Sequence, residues 1–327
     1  MGVPKISRRK AISTSLMASL AAVGGYAFTS YPLDMDKGVS NSAKKKLPFR
    51  ISLNTSTISA YKLGVDKQIE MVSAAGFDGI ELWMPDINAY LKAGGTTATL
   101  KEKLLAGNLV LENMIGFAQW CSDDPEVRNK AVAQLRQEMI ITAELGGKYI
   151  AAPVMGLKSL DPTKFDEYTQ RYNDILRLKD ETKVIPVLEL WGTGVLSKLA
   201  DCAQIVIATG HPDATMLLDF YHLYRGGSDW DTLDCLNGHR LPVMHMNDYP
   251  ASPERESLTD AHRVLPGDGI CPFDEILPKL YKAGFRGGLS VELFNREYWA
   301  SMDAETMLKN SYDKTVSVVE RALSNLI

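Results

Sequence analysis

Four residues able to hold a divalent cation stand at the ends of short apolar runs in the second half of the chain. The runs are Val187-Leu188-Glu189-Leu190, Met216-Leu217-Leu218-Asp219, Val243-Met244-His245-Met246 and Leu289-Ser290-Val291-Glu292. The four ligating residues are spaced 30, 26 and 47 positions apart. Short, almost continuously apolar runs of this kind predict strands of a buried sheet. One Glu after a strand is more often a cap or a surface residue. Four in the order Glu, Asp, His, Glu describe an oxygen-rich cation site. Three carboxylates and one imidazole suit Mn2+, Mg2+ or Co2+, with Zn2+ a further option; structural zinc prefers more thiolate or imidazole.

The elements that must position these residues follow from the alternation along the rest of the chain. Strands are predicted at Phe49–Leu53, Ile80–Trp83, Leu109–Glu112 and Tyr149–Ala152, ahead of the four runs above. Helices are predicted at 66–75, 99–106, 126–145, 164–179, 194–209, 230–236, 273–283 and 302–326. Ile69, Val72 and Ala75 recur at spacing three in the first, and Gly146-Gly147 supplies a helix stop. Eight strands alternating with helices over about 280 residues predict a closed (β/α)8 TIM barrel, residues 48–327. A doubly wound open sheet is the alternative, weakened by the lack of a GxGxxG after the first strand. In a barrel, the C-terminal strand ends face one mouth, so Glu189, Asp219, His245 and Glu292 would converge there.

Ahead of the barrel, Ser7-Arg8-Arg9-Lys10 precedes a modestly apolar, Ala/Gly/Ser-rich stretch. This pattern resembles a Tat export signal over residues 1–29, followed by a polar linker over 30–47. It predicts export, to a periplasmic location, with the Tat machinery as a partner. The chain has 327 residues and a net charge of -4 with pI near 5.8, which argues against a nucleic-acid partner. Cys121, Cys202, Cys235 and Cys271 form no CxxC pair, so a zinc ribbon is not expected, and Cys202 and Cys235 read as small core residues.

Five stretches carry a family resemblance: Leu188-Glu189-Leu190-Trp191-Gly192, Leu218-Asp219-Phe220-Tyr221-His222, His245-Met246-Asn247-Asp248, Leu265-Pro266-Gly267-Asp268-Gly269 and Val291-Glu292-Leu293-Phe294. With them, the chain from Phe49 to Leu326 resembles the xylose isomerase-like TIM-barrel superfamily, the sugar phosphate isomerase/epimerase group. The resemblance implies that Glu189 and Glu292 touch the metal and also act as an acid/base pair. The chemistry is sound on general grounds. A cation at a carbonyl and its neighbouring hydroxyl stabilises an enediolate, while two carboxylates remove and return a proton. Return to the opposite face gives epimerisation, transfer to the next carbon gives isomerisation, and loss of a β-hydroxyl gives dehydration.

Substrate contacts are expected from His222, in the Asp-x-x-His pattern, from Arg263 with His262 beside it, and from Asp248, Glu81 and Trp191. Asp248 could instead orient His245. Trp83, Phe117, Trp120 and Trp191 could form an apolar wall for a sugar ring. One departure stands out: ketose 3-epimerases of the superfamily place an Arg six residues after the metal His, where this chain has Ala251. The leading expectation is a metal-dependent sugar or polyol isomerase or epimerase, with a small carbohydrate as substrate and a homo-oligomer as one assembly option. A dehydratase or lyase acting on keto-sugars or keto-glycosides is the second enzyme reading, and a non-catalytic sugar-binding barrel is the reading from another class. Endonuclease IV-type repair is disfavoured by the acidic chain and by only five His.

Overall fold

The computed structural model describes residues 46–327, and the signal and linker expected ahead of them lie outside the described residues. Eight parallel strands close on themselves in sequence order. They are β1 (Arg50–Asn54), β2 (Gly79–Trp83), β3 (Val110–Ile115), β4 (Tyr149–Pro153), β5 (Ile185–Glu189), β6 (Met216–Asp219), β7 (Val243–Met246) and β8 (Gly288–Val291). β8 pairs with β1, Leu289 opposite Ile51, which completes the barrel and rules out the open sheet. The (β/α)8 expectation holds.

Alternation along each strand divides the core in two. Ile115, Ala151, Val187, Leu217 and Val243 form a small cluster inside the barrel. Their sequence neighbours, such as Leu188, Leu218 and Met244, join the large layer between strands and helices. Two residues further along the inward rows of β5, β6 and β7 come Glu189, Asp219 and His245. The strand pleat therefore aims all three into the mouth.

The outer ring consists of α1 (Val65–Ala74), α2 (Met84–Lys92), α3 (Thr97–Ala106), α4 (Pro125–Glu144), α5 (Phe165–Leu176), α6 (Lys179–Thr182), α7 (Leu199–Ala208), α8 (Phe220–Arg225), α9 (Phe273–Lys282), α10 (Arg296–Ser301) and α11 (Ala304–Ala322). α4 begins where the sequence indicates. Asp124 caps it by accepting from the N–H groups of Glu126 and Val127, and Pro125 occupies the first turn. Several boundaries differ from expectation. The segment expected as one helix over 164–179 breaks after Leu176, and α7 starts only at Leu199. Trp230–Cys235 is a 3-10 turn, and Cys235 is exposed, not a core residue. α11 starts later than expected because Asp303 caps it through the Thr306 N–H, and it ends earlier, at Ala322.

At the N-terminal end, β3 carries a bulge: Ile80 pairs with Leu111 and Glu81 with Asn113, so Glu112 is the extra residue. A bulge re-aims the following side chains. Here it lets Glu112 serve the bottom of the barrel and Asn113 the floor of the mouth. The Glu112 carboxylate accepts from Arg50 Nε and Nη2 at 2.6 and 2.7 Å and from Ser52 Oγ at 2.9 Å. Gly79 and Gly288 flank it; a Cβ at Gly79 would lie 2.5 Å from Glu112 Oε1. Among the described residues, no helix is long and apolar enough to cross a membrane.

Candidate metal centre and catalytic pocket

A cavity of about 580 Å³ opens at the C-terminal mouth, lined among others by Glu189, Glu292, Trp191, His222 and Arg263. His245 lies behind this lining, fully buried. Nδ1 lies 3.1 Å from Glu292 Oε2, 3.6 Å from Asp219 Oδ2 and 3.9 Å from Glu189 Oε1. Nε2 points the other way, 3.1 Å from Glu81 Oε2. A carboxylate that accepts the Nε2 proton leaves the Nδ1 lone pair for a cation.

The donor set fits a divalent ion. Asp219, His245 and Glu292 each offer a ligand atom, all within 4.8 Å of one another. His245 Nδ1 and Glu189 Oε2 are buried with no hydrogen-bond partner. Leaving such atoms unpaired is costly, and a cation bound at His245 Nδ1 would relieve it there, while Glu189 lies outside the three-residue group. The electrostatics agree. Burial disfavours the imidazolium, yet the carboxylates of Glu292 and Glu81 overcome it and raise the His245 pKa well above its ordinary value. The cluster thus attracts positive charge at Nδ1.

The two carboxylates expected to move protons have unlike surroundings. Burial pushes Glu189 up to about 8, only partly opposed by His245. Glu292 is buried too, but His245 and Arg263 hold its pKa below the usual range. Arg263 Nη1 donates to Glu292 Oε2 at 2.7 Å and to Asp219 Oδ2 at 2.9 Å, while Nε donates to Asp260 Oδ1 at 3.0 Å. Its guanidinium lies over the rings of Tyr221 and Phe294, at 4.6 and 5.2 Å from the centroids. Asp219 Oδ1 also caps α8 through the His222 N–H, and Asn247 Nδ2 donates to Oδ2.

The other expected contacts separate into two groups. His222, Arg263 and Trp191 line the cavity. His222 Nε2 lies 3.0 Å from Arg263 Nη2, its Nδ1 has no partner, and burial lowers its pKa to about 4. Glu81 and Asp248 are fully buried and absent from the lining. Glu81 lies against His245 Nε2, away from the cavity lining. Asp248 neither reaches His245 nor faces the cavity. Its oxygens accept from the backbone N–H groups of Tyr249, Cys271, Gly267 and Gly269, because the Pro266–Gly269 turn presents its donors inward. His262 Nδ1 accepts from the Thr259 N–H and so closes a 3-10 turn.

The aromatic wall is real but differently composed. Trp191, Phe117, Trp83 and Phe294 follow one another at centroid distances of 6.2, 5.2 and 6.2 Å, with Trp299 also in the lining. Trp120 is outside it, buried with its indole N–H donating to Pro153 O. The sequence reading assigns no role to Phe294, Trp299, Asn54, Asn113 or Asn247. A signal for two of the asparagines is present in the sequence: Asn54 ends an otherwise apolar strand and Asn247 follows one, whereas Asn113 lies inside β3.

Residues 69–314 match the xylose isomerase-like TIM barrel family. The chain belongs to that family. Its relatives include the inosose isomerase of Halalkalibacterium halodurans, 36% identical over 118 residues, a stretch covering 36% of this chain and 41% of that protein. The inosose isomerase of Bacillus velezensis is 24% identical over 78% of this chain and 92% of its own length. The 3-dehydroshikimate dehydratase of Pseudomonas putida is 23% identical over 72% of this chain, but only 37% of that longer protein is spanned. Among solved structures, the IolI protein with a bound zinc atom superposes with a TM-score of 0.75 at 24% identity, over 84% of this chain and all of that one. An L-ribulose 3-epimerase superposes with a TM-score of 0.69 at 19% identity, over 85% of this chain and 96% of its own.

Proposed function

We propose that the protein is a divalent-metal-dependent isomerase or epimerase of a keto-sugar or keto-polyol, the inososes of its relatives being the first candidates. The observation that carries this reading is the meeting of Glu189, Asp219 and Glu292 at His245 Nδ1, with Glu189 and Glu292 opening into an aromatic-walled cavity. Asp219, His245, Glu292 and Glu189 would hold the ion. When bound, it supplies Lewis-acid stabilisation of negative charge on the substrate's carbonyl oxygen.

The residues of the chain do the rest. The arc from Trp191 to Phe294 receives the apolar face of a ring and excludes water. His222, kept neutral by burial, offers its Nδ1 to a hydroxyl. Glu292, held anionic by Arg263, removes a proton from the carbon next to the carbonyl. Glu189, whose surroundings favour its neutral form, returns one from β5. The relatives' names, inosose isomerase and 3-epimerase, support this chemistry. A dehydratase outcome starts from the same proton abstraction and is favoured by the match to the Pseudomonas putida enzyme. Export through the Tat route, read from Arg8 and Arg9, would place the reaction outside the cytoplasm.

The test is incubation with Mn2+ in D2O and a panel of inososes and keto-sugars, followed by proton NMR. Deuterium should appear at a carbon beside the carbonyl and should fail to appear with Glu189→Gln or Glu292→Gln. Metal binding without exchange on any substrate would overturn the reading in favour of a binding protein.

A further inference from the structure

We propose that Asn54, at the end of β1, is the positioning residue that sets the orientation of Glu292 and ties it to the aromatic wall. This rests on the role given to Glu292 above. Asn54 is fully buried and, by strand register, sits beside Glu81. Two donors converge on one end of its amide: Trp83 Nε1 at 2.7 Å and the Ser56 backbone N–H at 3.0 Å. An atom that accepts from two N–H groups must be the carbonyl oxygen, so the partners fix which way the amide faces. The NH2 group is thereby aimed at two carboxylates, Glu292 Oε1 at 3.0 Å and Glu81 Oε2 at 3.3 Å.

All four hydrogen-bonding positions of the amide are used, which leaves none for substrate. For Glu292 the effect is specific. Asn54 is the hydrogen-bond partner of Oε1 among the described residues, while Oε2 receives Arg263 Nη1 and lies against His245 Nδ1. The carboxylate is pinned from both sides, with one chosen oxygen facing the reaction centre. The other end of the same amide holds the indole of Trp83, whose ring contacts Phe117 and Phe294. One side chain therefore fixes the relation between the proton-transfer group and the surface on which a ring would lie.

Asn54→Asp separates the two ends of this device. It keeps an oxygen for Trp83 and Ser56 and replaces only the NH2, setting a third carboxylate against Glu292 and Glu81. Glu292→Gln supplies an NH2 that could face that new oxygen. Melting curves of the full chain in EDTA, where metal occupancy is equal in all variants, should place Asn54→Asp roughly 2–4 °C or more below wild type. The double variant Asn54→Asp/Glu292→Gln should recover most of that loss relative to Glu292→Gln alone. In the deuterium-exchange assay, Asn54→Asp should lower kcat at least about tenfold with KM within about twofold, the split expected for a group acting on the reacting step. Additive melting losses in the double variant, or an unchanged kcat, would overturn the proposal. The melting cycle decides the Asn54–Glu292 contact even for a protein that exchanges no proton, so failure of the proposed activity and failure of this contact are read separately.

Discussion

At the N-terminal end of the barrel, Glu112 is buried with both oxygens taken, by Arg50 and Ser52. At the C-terminal end, Glu189 and His245 are buried with an oxygen and a nitrogen left without partners. Both ends bury charge among apolar strands, and glycines make room at the first while aromatics frame the second. The difference separates charge that holds a fold from charge held ready for a ligand. A paired carboxylate contributes through the penalty of removing its partner. An unpaired one marks a place where something else is to bind.

The contrast can be broken most sharply at the mouth. Glu292→Gln should cut turnover by about 10²–10⁴-fold, the usual contribution of a positioned acid or base, while leaving the fold intact by circular dichroism. At the other end, Glu112→Ala should do the reverse. Breaking the pair leaves the buried Ser52 hydroxyl without its acceptor and the partly exposed Arg50 without its carboxylate, and should cost about 1–3 kcal/mol in urea unfolding, with Mn2+ affinity of the folded protein unchanged. A loss of metal affinity in that variant would mean that the two ends are not independent.

Metal itself sharpens the comparison. Mn2+ at about 100 times its Kd should stabilise the protein by about 2.7 kcal/mol. The gain should vanish in Glu292→Gln and persist in Glu112→Ala, as read by thermal shift. A smaller effect concerns pH. Burial lowers the His222 pKa to about 4, below the ordinary 6.5, so the unfolded chain binds the extra proton between these values. Stability should therefore fall as pH drops through that window, by about 1–3 kcal/mol, and His222→Asn should flatten the slope in denaturant midpoints measured from pH 7 to 4.5.

Much of this was legible in the sequence, for a physical reason. The strands of a closed parallel barrel are buried on both sides, so an acid or an imidazole at the end of an apolar run is conspicuous. Glu189, Asp219, His245 and Glu292 were visible that way. Glu81 and Asp248 are equally visible, yet they bond to His245 and to a backbone turn and lie outside the cavity lining, because sequence shows that a polar residue ends a strand but not what lies above or beneath it. Asn54 and Asn113 were passed over since an amide carries no charge to draw attention. Helices of six residues such as α8 and α10 are too short for a 3.6-residue period to register. The bulge at Glu112 does leave a mark, the consecutive polar pair Glu112-Asn113 that interrupts the alternation of β3, but such a pair reads equally as the end of a strand.

The segment between Asp248 and Val264 leaves the barrel and returns to the same point. The backbones of these two residues clasp each other at 3.0 and 2.9 Å, and the Asp248 carboxylate secures the turn that follows. Only Arg263, one step before the clasp, reaches into the ligand cluster. The tip near Ser252 and Glu254 is exposed and lies outside these restraints. Such a segment is an exchangeable part: lengthening its tip costs little loop entropy and leaves the ligand geometry alone. Insertions at that tip would change the outline of the chain while the strands, and the Arg263 contacts beneath them, stay as they are.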